Sequence, residues 1–140
     1  MIVVLDSNIF FSALITPKGY SATIYNAWQD RHFDLVTSTE QIEEIRGASR
    51  NKKLAHILRP REVGVMLNAI RKATVLDQVP RRFGAEDPTD SFLLNLAAAA
   101  SAHFLVSGDK RSGLLTRRRI ESTRILTPRL FCETVLVARH

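Results

Sequence analysis

Short apolar runs rich in β-branched residues alternate with longer stretches of helical period, and this alternation leaves few architectures open. The first run, Ile2-Val3-Val4-Leu5, is continuous, as a strand buried on both faces should be. Runs at Phe33–Thr37, Thr74–Val79, His103–Ser107 and Thr123–Leu126 predict four more strands. After the turn Pro17-Lys18-Gly19, Ser21 is positioned to cap a helix carrying Ile24, Tyr25, Ala27 and Trp28. Ser38 and Gln41 form a capping-box pattern opening a helix with Ile42 and Ile45 inward. A short basic helix is expected around Asn51–Leu58. Pro60 then starts another, with Val63, Met66, Leu67 and Ile70 as its stripe. Asp87-Pro88 is a cap followed by a proline at the first helical position, and the helix after it is apolar nearly all round. Gly113–Arg118 reads as a short helix, and Pro128 opens a C-terminal one with Leu130, Phe131, Val135 and Leu136 inward. Such alternation predicts one α/β domain over residues 1–140, with a mostly parallel five-stranded sheet covered on both faces. Right-handed crossovers then bring every strand's carboxyl end to one edge, where open α/β sheets bind ligands.

The composition removes several function classes. With 140 residues, 45% apolar and 24% charged, the chain can bury a core without a disulfide or metal staple. Its single cysteine, Cys132, excludes an internal disulfide framework and points to a reducing compartment. The longest apolar stretch, Phe92–Val106, is broken by Asn95, Ser101 and His103 and is too short for a bilayer. The opening run lacks a basic flank and stops at Asp6, so no signal peptide is expected, and the expected location is cytoplasmic, with no membrane partner. The scattered glycines fit no phosphate loop, the four histidines show no zinc spacing, and the serines lack a nucleophile elbow.

The net charge of +6 is unevenly distributed. Between Arg46 and Lys72 lie basic residues 46, 50, 52, 53, 59, 61, 71 and 72 against one acid, Glu62. A second basic cluster runs from Lys110 to Arg129, again with one acid, Glu121. Both suit a polyanion, since each neutralised phosphate releases counterions, and both are equally compatible with a solvated basic surface.

Four carboxylates carry more information than the surplus of positives. Asp6 follows the first strand, Glu44 lies in the helix after the second, Asp90 opens the helix after the third, and Asp109 follows the fourth. The topology draws all four towards one sheet edge. Two such charges about 5 Å apart repel by roughly 3 kcal/mol at an effective dielectric near 20, so the set calls for protons or cations. A hard divalent ion answers that need with oxygen ligands. Helix capping competes as an explanation for Asp87 above all, and for Asp90 and Asp109. It does not reach Asp6, because the next expected helix begins some fifteen residues later.

Taken in order, Leu5-Asp6-Ser7-Asn8, Thr37-Ser38 with Glu44 six residues after the serine, Asp87-Pro88-Thr89-Asp90 and Leu105-Val106-Ser107-Gly108-Asp109 resemble the PIN-domain ribonucleases. The likeness is nearest to the VapC-like toxins of bacterial toxin–antitoxin pairs, and it extends to the ending Thr127-Pro128 to Phe131. The resemblance implies a three-layer α/β/α sandwich and metal-dependent endoribonuclease activity. Asp6, Glu44, Asp90 and Asp109 fall on the family's acidic positions, with Asp6, Asp90 and Asp109 as ligands of Mg²⁺ or Mn²⁺. Ser107 matches its small hydroxyl residue, Asn8 its residue after the first aspartate, and Asp87 is a secondary, water-mediated contact. Neighbouring Glu43 competes for the second position, but the spacing from Ser38 and the partner Ile45 favour Glu44. An RNA substrate, a cognate antitoxin in the active-site groove and a homodimer also follow from the likeness.

Two other readings remain beside it. A phosphatase or receiver domain also gathers aspartates at a sheet edge, but Asp6-Ser7-Asn8 lacks the second aspartate of the phosphatases, and Asp77 is a poor phosphoacceptor. A non-catalytic RNA-binding or partner-binding module of the same fold is the non-enzymatic alternative.

Overall fold

Val3, Val4 and Leu5 are completely shielded from solvent, as a strand with helices on both faces requires. They form β1 (Ile2–Leu5) in the computed structural model, which describes residues 1–84, 88–108 and 114–137. The other strands are β2 (Asp34–Ser38), β3 (Thr74–Leu76), β4 (Phe104–Val106), β5 (Arg119–Ile120) and β6 (Thr123–Leu126). They make one sheet in the order β3-β2-β1-β4-β6-β5, parallel throughout except for the β5–β6 pair. The sheet therefore has six strands where five were expected. The additional one is a two-residue arm closed by a tight turn at Glu121 (φ 50°), a left-handed conformation on a residue that gives no hairpin signal.

Alternate side chains sort the helices into two layers. Val3, Leu5 and Leu35 face α1 (Ser7–Ile15), α2 (Tyr20–Gln29), α3 (Thr39–Ser49), α5 (Pro60–Arg71) and the C-terminal helix, around Phe10, Ile24, Ile45, Met66 and Phe131. Val4, Val36, Leu105 and Ile125 face α6 (Pro88–Ala99), which contributes Leu93, Leu94, Leu96 and Ala97. Each buried leucine contributes about 2 kcal/mol to this layer. The short helices are α4 (Lys52–Ala55), capped by Asn51, and α7 (Leu114–Arg117). The C-terminal helix is α8 (Pro128–Leu130), continuing as a π-helix over Phe131–Leu136.

Three local expectations are corrected. A helix, α1, begins directly after Asp6, which is its N-cap. The exposed side of α1 is narrow, Asn8 and Ser12 with the apolar Ile15, so its helical period shows only weakly in the sequence. Gly19, not Ser21, stands at the N-cap of α2. Leu130 is exposed rather than inward, because the buried stripe of the last helix starts at Phe131. The stripes of α5 and α6 are as expected: Val63, Met66, Leu67 and Ile70 are buried, and α6 lies deep. Among the described residues no helix is long and apolar enough to cross a membrane.

Cys132 is buried in the first layer, its thiol 3.6 Å from the carbonyl of Tyr20. Burial pushes the thiol up to about 11, with the charge of Glu133 adding a smaller push. Since the thiolate is the reactive form, native protein should resist thiol reagents at pH 8 and react only when unfolded. Rapid labelling of the native state would contradict this packing.

Strand order reverses at β1. The path from β1 through β2 to β3 moves one way with its helices on the first face. The path from β3 through β4 to β6 moves the other way with α6 on the second face. The crevice between the carboxyl ends of β1 and β4 is thus a topological switch point, the usual ligand site of open α/β sheets.

Candidate active site

Asp6 stands at that switch point. Its N–H donates to Val106 O at 2.9 Å, extending the β1–β4 ladder by one bond, and its carbonyl accepts from Ile9 N at 3.0 Å to start α1. The side chain is 4% exposed. Its Oδ1 accepts from the backbone N–H of Asn8 at 3.1 Å, and its Oδ2 accepts from Ser107 Oγ at 2.9 Å. Ser107 is itself fully buried and anchored by its N–H to Leu126 O at 3.0 Å. Two neighbouring strands therefore orient one carboxylate. Asn8 acts through its backbone here, and its side chain is exposed beside the helix start. Capping does account for part of Asp6, contrary to the sequence expectation. It does not account for the charge, since serine or asparagine caps as well and a buried carboxylate costs several kcal/mol to desolvate.

The sequence pattern singled out Gln41 only as half of a capping box, and the structure gives it a larger part. Ser38 Oγ accepts from Gln41 N at 3.1 Å, the expected cap. The wholly buried side chain turns the other way. Its Nε2 donates to Leu5 O at 2.7 Å and lies 3.3 Å from Ser7 Oγ, while its Oε1 accepts from Thr37 Oγ1 at 2.6 Å. Gln41 thus ties the residues on either side of Asp6 to the end of β2. The available signal was an amide on the inward face of α3 beside Ile42 and Ile45.

Glu44 is one turn beyond Gln41 on α3, is exposed, and makes no ion pair among the described residues. Glu43 is engaged with Arg46 at 2.6 Å, which leaves Glu44 the available carboxylate of the two. Asp90 is the third residue of α6 and is buried. Because α6 is the crossover from β3 to the parallel β4, its first turn lies towards the carboxyl edge. Asp87 and Asp109 lie outside the described residues.

The PIN-domain family profile matches residues 2–111, from β1 past β4. The chain belongs to the PIN-domain family. PIN domains are commonly nucleases and generally use divalent metals. No curated protein matches the chain. The family span covers Asp6, Glu44, Asp90 and Ser107, while β5, β6 and the C-terminal helix of this PIN domain lie beyond it.

The donor set of this PIN domain fits a hard cation: among the described residues the buried polar side chains around Asp6 (Ser7, Ser38, Gln41 and Ser107) and the buried Asp90 offer oxygen, with no thiol or imidazole among them. Among the described residues no three His, Cys, Asp or Glu side chains gather into a metal-holding group. The Gln41 clamp makes a separate prediction. Gln41→Leu keeps the shape but strands the Leu5 carbonyl and the Thr37 hydroxyl in the interior, at a cost of about 1–3 kcal/mol. Urea unfolding should show a lower midpoint with an unchanged slope; an unshifted midpoint would mean the clamp carries no net stability.

Proposed function

We propose that this PIN domain is a Mg²⁺- or Mn²⁺-dependent endoribonuclease and the toxin of a toxin–antitoxin pair. The reading rests on one observation above all: a buried carboxylate, Asp6, oriented by Ser107 at the switch point of the sheet. Asp6 and Asp90, joined by Asp109, would hold one or two ions through oxygen, with Asp87 contributing through water. A divalent ion bound there supplies a water of lowered pKa and neutralises charge building on the phosphate. Ser107 and Asn8 N–H keep the Asp6 carboxylate in one orientation as substrate arrives. Glu44 orients the attacking water and accepts its proton. Exposed arginines hold the RNA backbone, and unpaired bases set selectivity. A cognate antitoxin covering the edge, and a homodimer, complete the proposal.

Purified protein should cleave a labelled mixed RNA panel with Mn²⁺ or Mg²⁺, lose that activity in EDTA, and lose it again as Asp6→Asn. Cleavage indifferent to both the chelator and the substitution would end this reading. RNA binding that never leads to cleavage would favour a non-catalytic module instead. A small gene directly upstream encoding a DNA-binding protein would support the toxin role.

A further inference from the structure

Two cavities meet at Thr127, the residue after β6 and the N-cap of α8. The first, of about 430 Å³, lies between the α1–α2 hairpin and α8, and includes Gly108, Tyr20, Thr127 and Arg129 in its lining. Gly108 directly follows the serine that holds Asp6, so this cavity adjoins the proposed ribonuclease site. The second, of about 500 Å³, runs along β6 and carries Arg118, Arg119 and Arg124 with Leu130 and Thr127. Both volumes fall in the range of small-ligand sites.

Their chemistry differs along the path. Tyr20 is 46% exposed, with its hydroxyl 3.5 Å from Glu133 Oε1. Arg129 Nε donates to the same oxygen at 3.1 Å, so one carboxylate holds both side chains at the cavity. An exposed ring held in place is a stacking platform for an unpaired base. In the second cavity Arg118, Arg119 and Arg124 are exposed and make no ion pair among the described residues, which leaves their charge available to phosphates. The guanidinium of Arg124 is steadied 6.0 Å above the ring of Phe104.

The other basic cluster is placed differently. α3 starts at the carboxyl edge with Ser38 and spans 11 residues to its far end, where Arg50 is the C-cap. At 1.5 Å per residue that end is about 16 Å from the edge. The cavity there, around Arg46 and Arg50, is floored by Leu58, Val63 and Leu67 and has no aromatic lining.

We infer that single-stranded RNA enters the site with one base stacked on Tyr20 and the adjoining phosphates on Arg118, Arg119 and Arg124, and that the Arg46–Lys72 cluster is off this path. The inference deepens the ribonuclease reading and rests on it for the identity of the ligand. Binding is measured in an Asp6→Asn background with a labelled mixed-sequence single-stranded RNA across a salt series. R118Q/R119Q/R124Q should lower the slope of log K against log salt by about 2, at roughly 0.7 for each phosphate that is no longer neutralised. R50Q/K52Q/K53Q should leave the affinity within about twofold of the parent. Tyr20→Ala should weaken binding about 5- to 100-fold, while Tyr20→Phe, which keeps the ring and loses only the hydroxyl contact to Glu133, should lose much less. All six basic positions and Tyr20 are exposed, so each variant should melt like its parent. The track is overturned if the second triple loses more than the first, or if Tyr20→Phe is as weak as Tyr20→Ala. It is equally overturned if no RNA binds, or if the first triple loses only a protein partner. Wild-type cleavage is scored separately: RNA held by these arginines but never cut overturns the nuclease reading alone, and cleavage indifferent to the first triple overturns the track alone.

Discussion

Asp6→Asn will reduce RNA cleavage by about a thousandfold or more, a loss near 4 kcal/mol of transition-state stabilisation, while the protein stays folded. The two halves of that result have different causes. Asparagine caps a helix as well as aspartate does, so the bond from Asn8 N and the start of α1 survive. Ser107 can accommodate the new amide, because a hydroxyl either donates or accepts and the bond to Asp6 Oδ2 needs only to reverse direction. What disappears is the negative charge that the proposed function assigns to a divalent ion. Single-turnover cleavage and a thermal melt on the same preparation decide the matter. Activity within tenfold of the parent would remove Asp6 from the chemistry, whereas a collapsed melt would show that its charge serves the fold.

The second large effect is structural and lies outside the family span. Phe131 is fully buried and meets Phe33 and Phe104 edge-on, with ring centroids 5.7 and 5.6 Å away. Its ring closes the first layer against β2 and β4, so the C-terminal helix is part of the core beneath the site. Phe131→Ala should cost about 3–5 kcal/mol, because the cavity left behind collapses only in part. For a chain of this size that is a fall in Tm of roughly 10–20 °C. The same variant should expose neighbouring Cys132 to thiol reagents well below the parent's unfolding temperature. A melt within a few degrees of the parent would mean that the residues matched by the PIN profile hold themselves together without the last helix.

Much of the architecture could be read from local pattern. The buried run Ile2–Leu5, the prolines at 60 and 88 and the stripe of α5 all act within a few residues of one another, so period and stop signals expose them. α1 and β5 were not legible for an equally local reason. One exposes only a narrow face that ends on the apolar Ile15, and the other turns at a glutamate that carries no turn signal. Carboxylates at a strand end, at a helix start and within α3 pointed to Asp6, Asp90 and Glu44, and the spacing favoured Glu44 over Glu43. Asp87 and Asp109 lie outside the described residues.

By itself, then, the sequence determined the layered α/β class and the candidate carboxylates, because hydrophobic period and residue chemistry are written locally. Only the tertiary structure decided what holds Asp6 and where the second basic cluster lies. Ser107 reaches Asp6 across 101 positions, Gln41 reaches Leu5 across 36, and Arg118, Arg119 and Arg124 meet along β6 near Thr127. Such partners are chosen by strand order and by the burial of polar groups that must find one another, and neither leaves a mark in the spacing of residues along the chain.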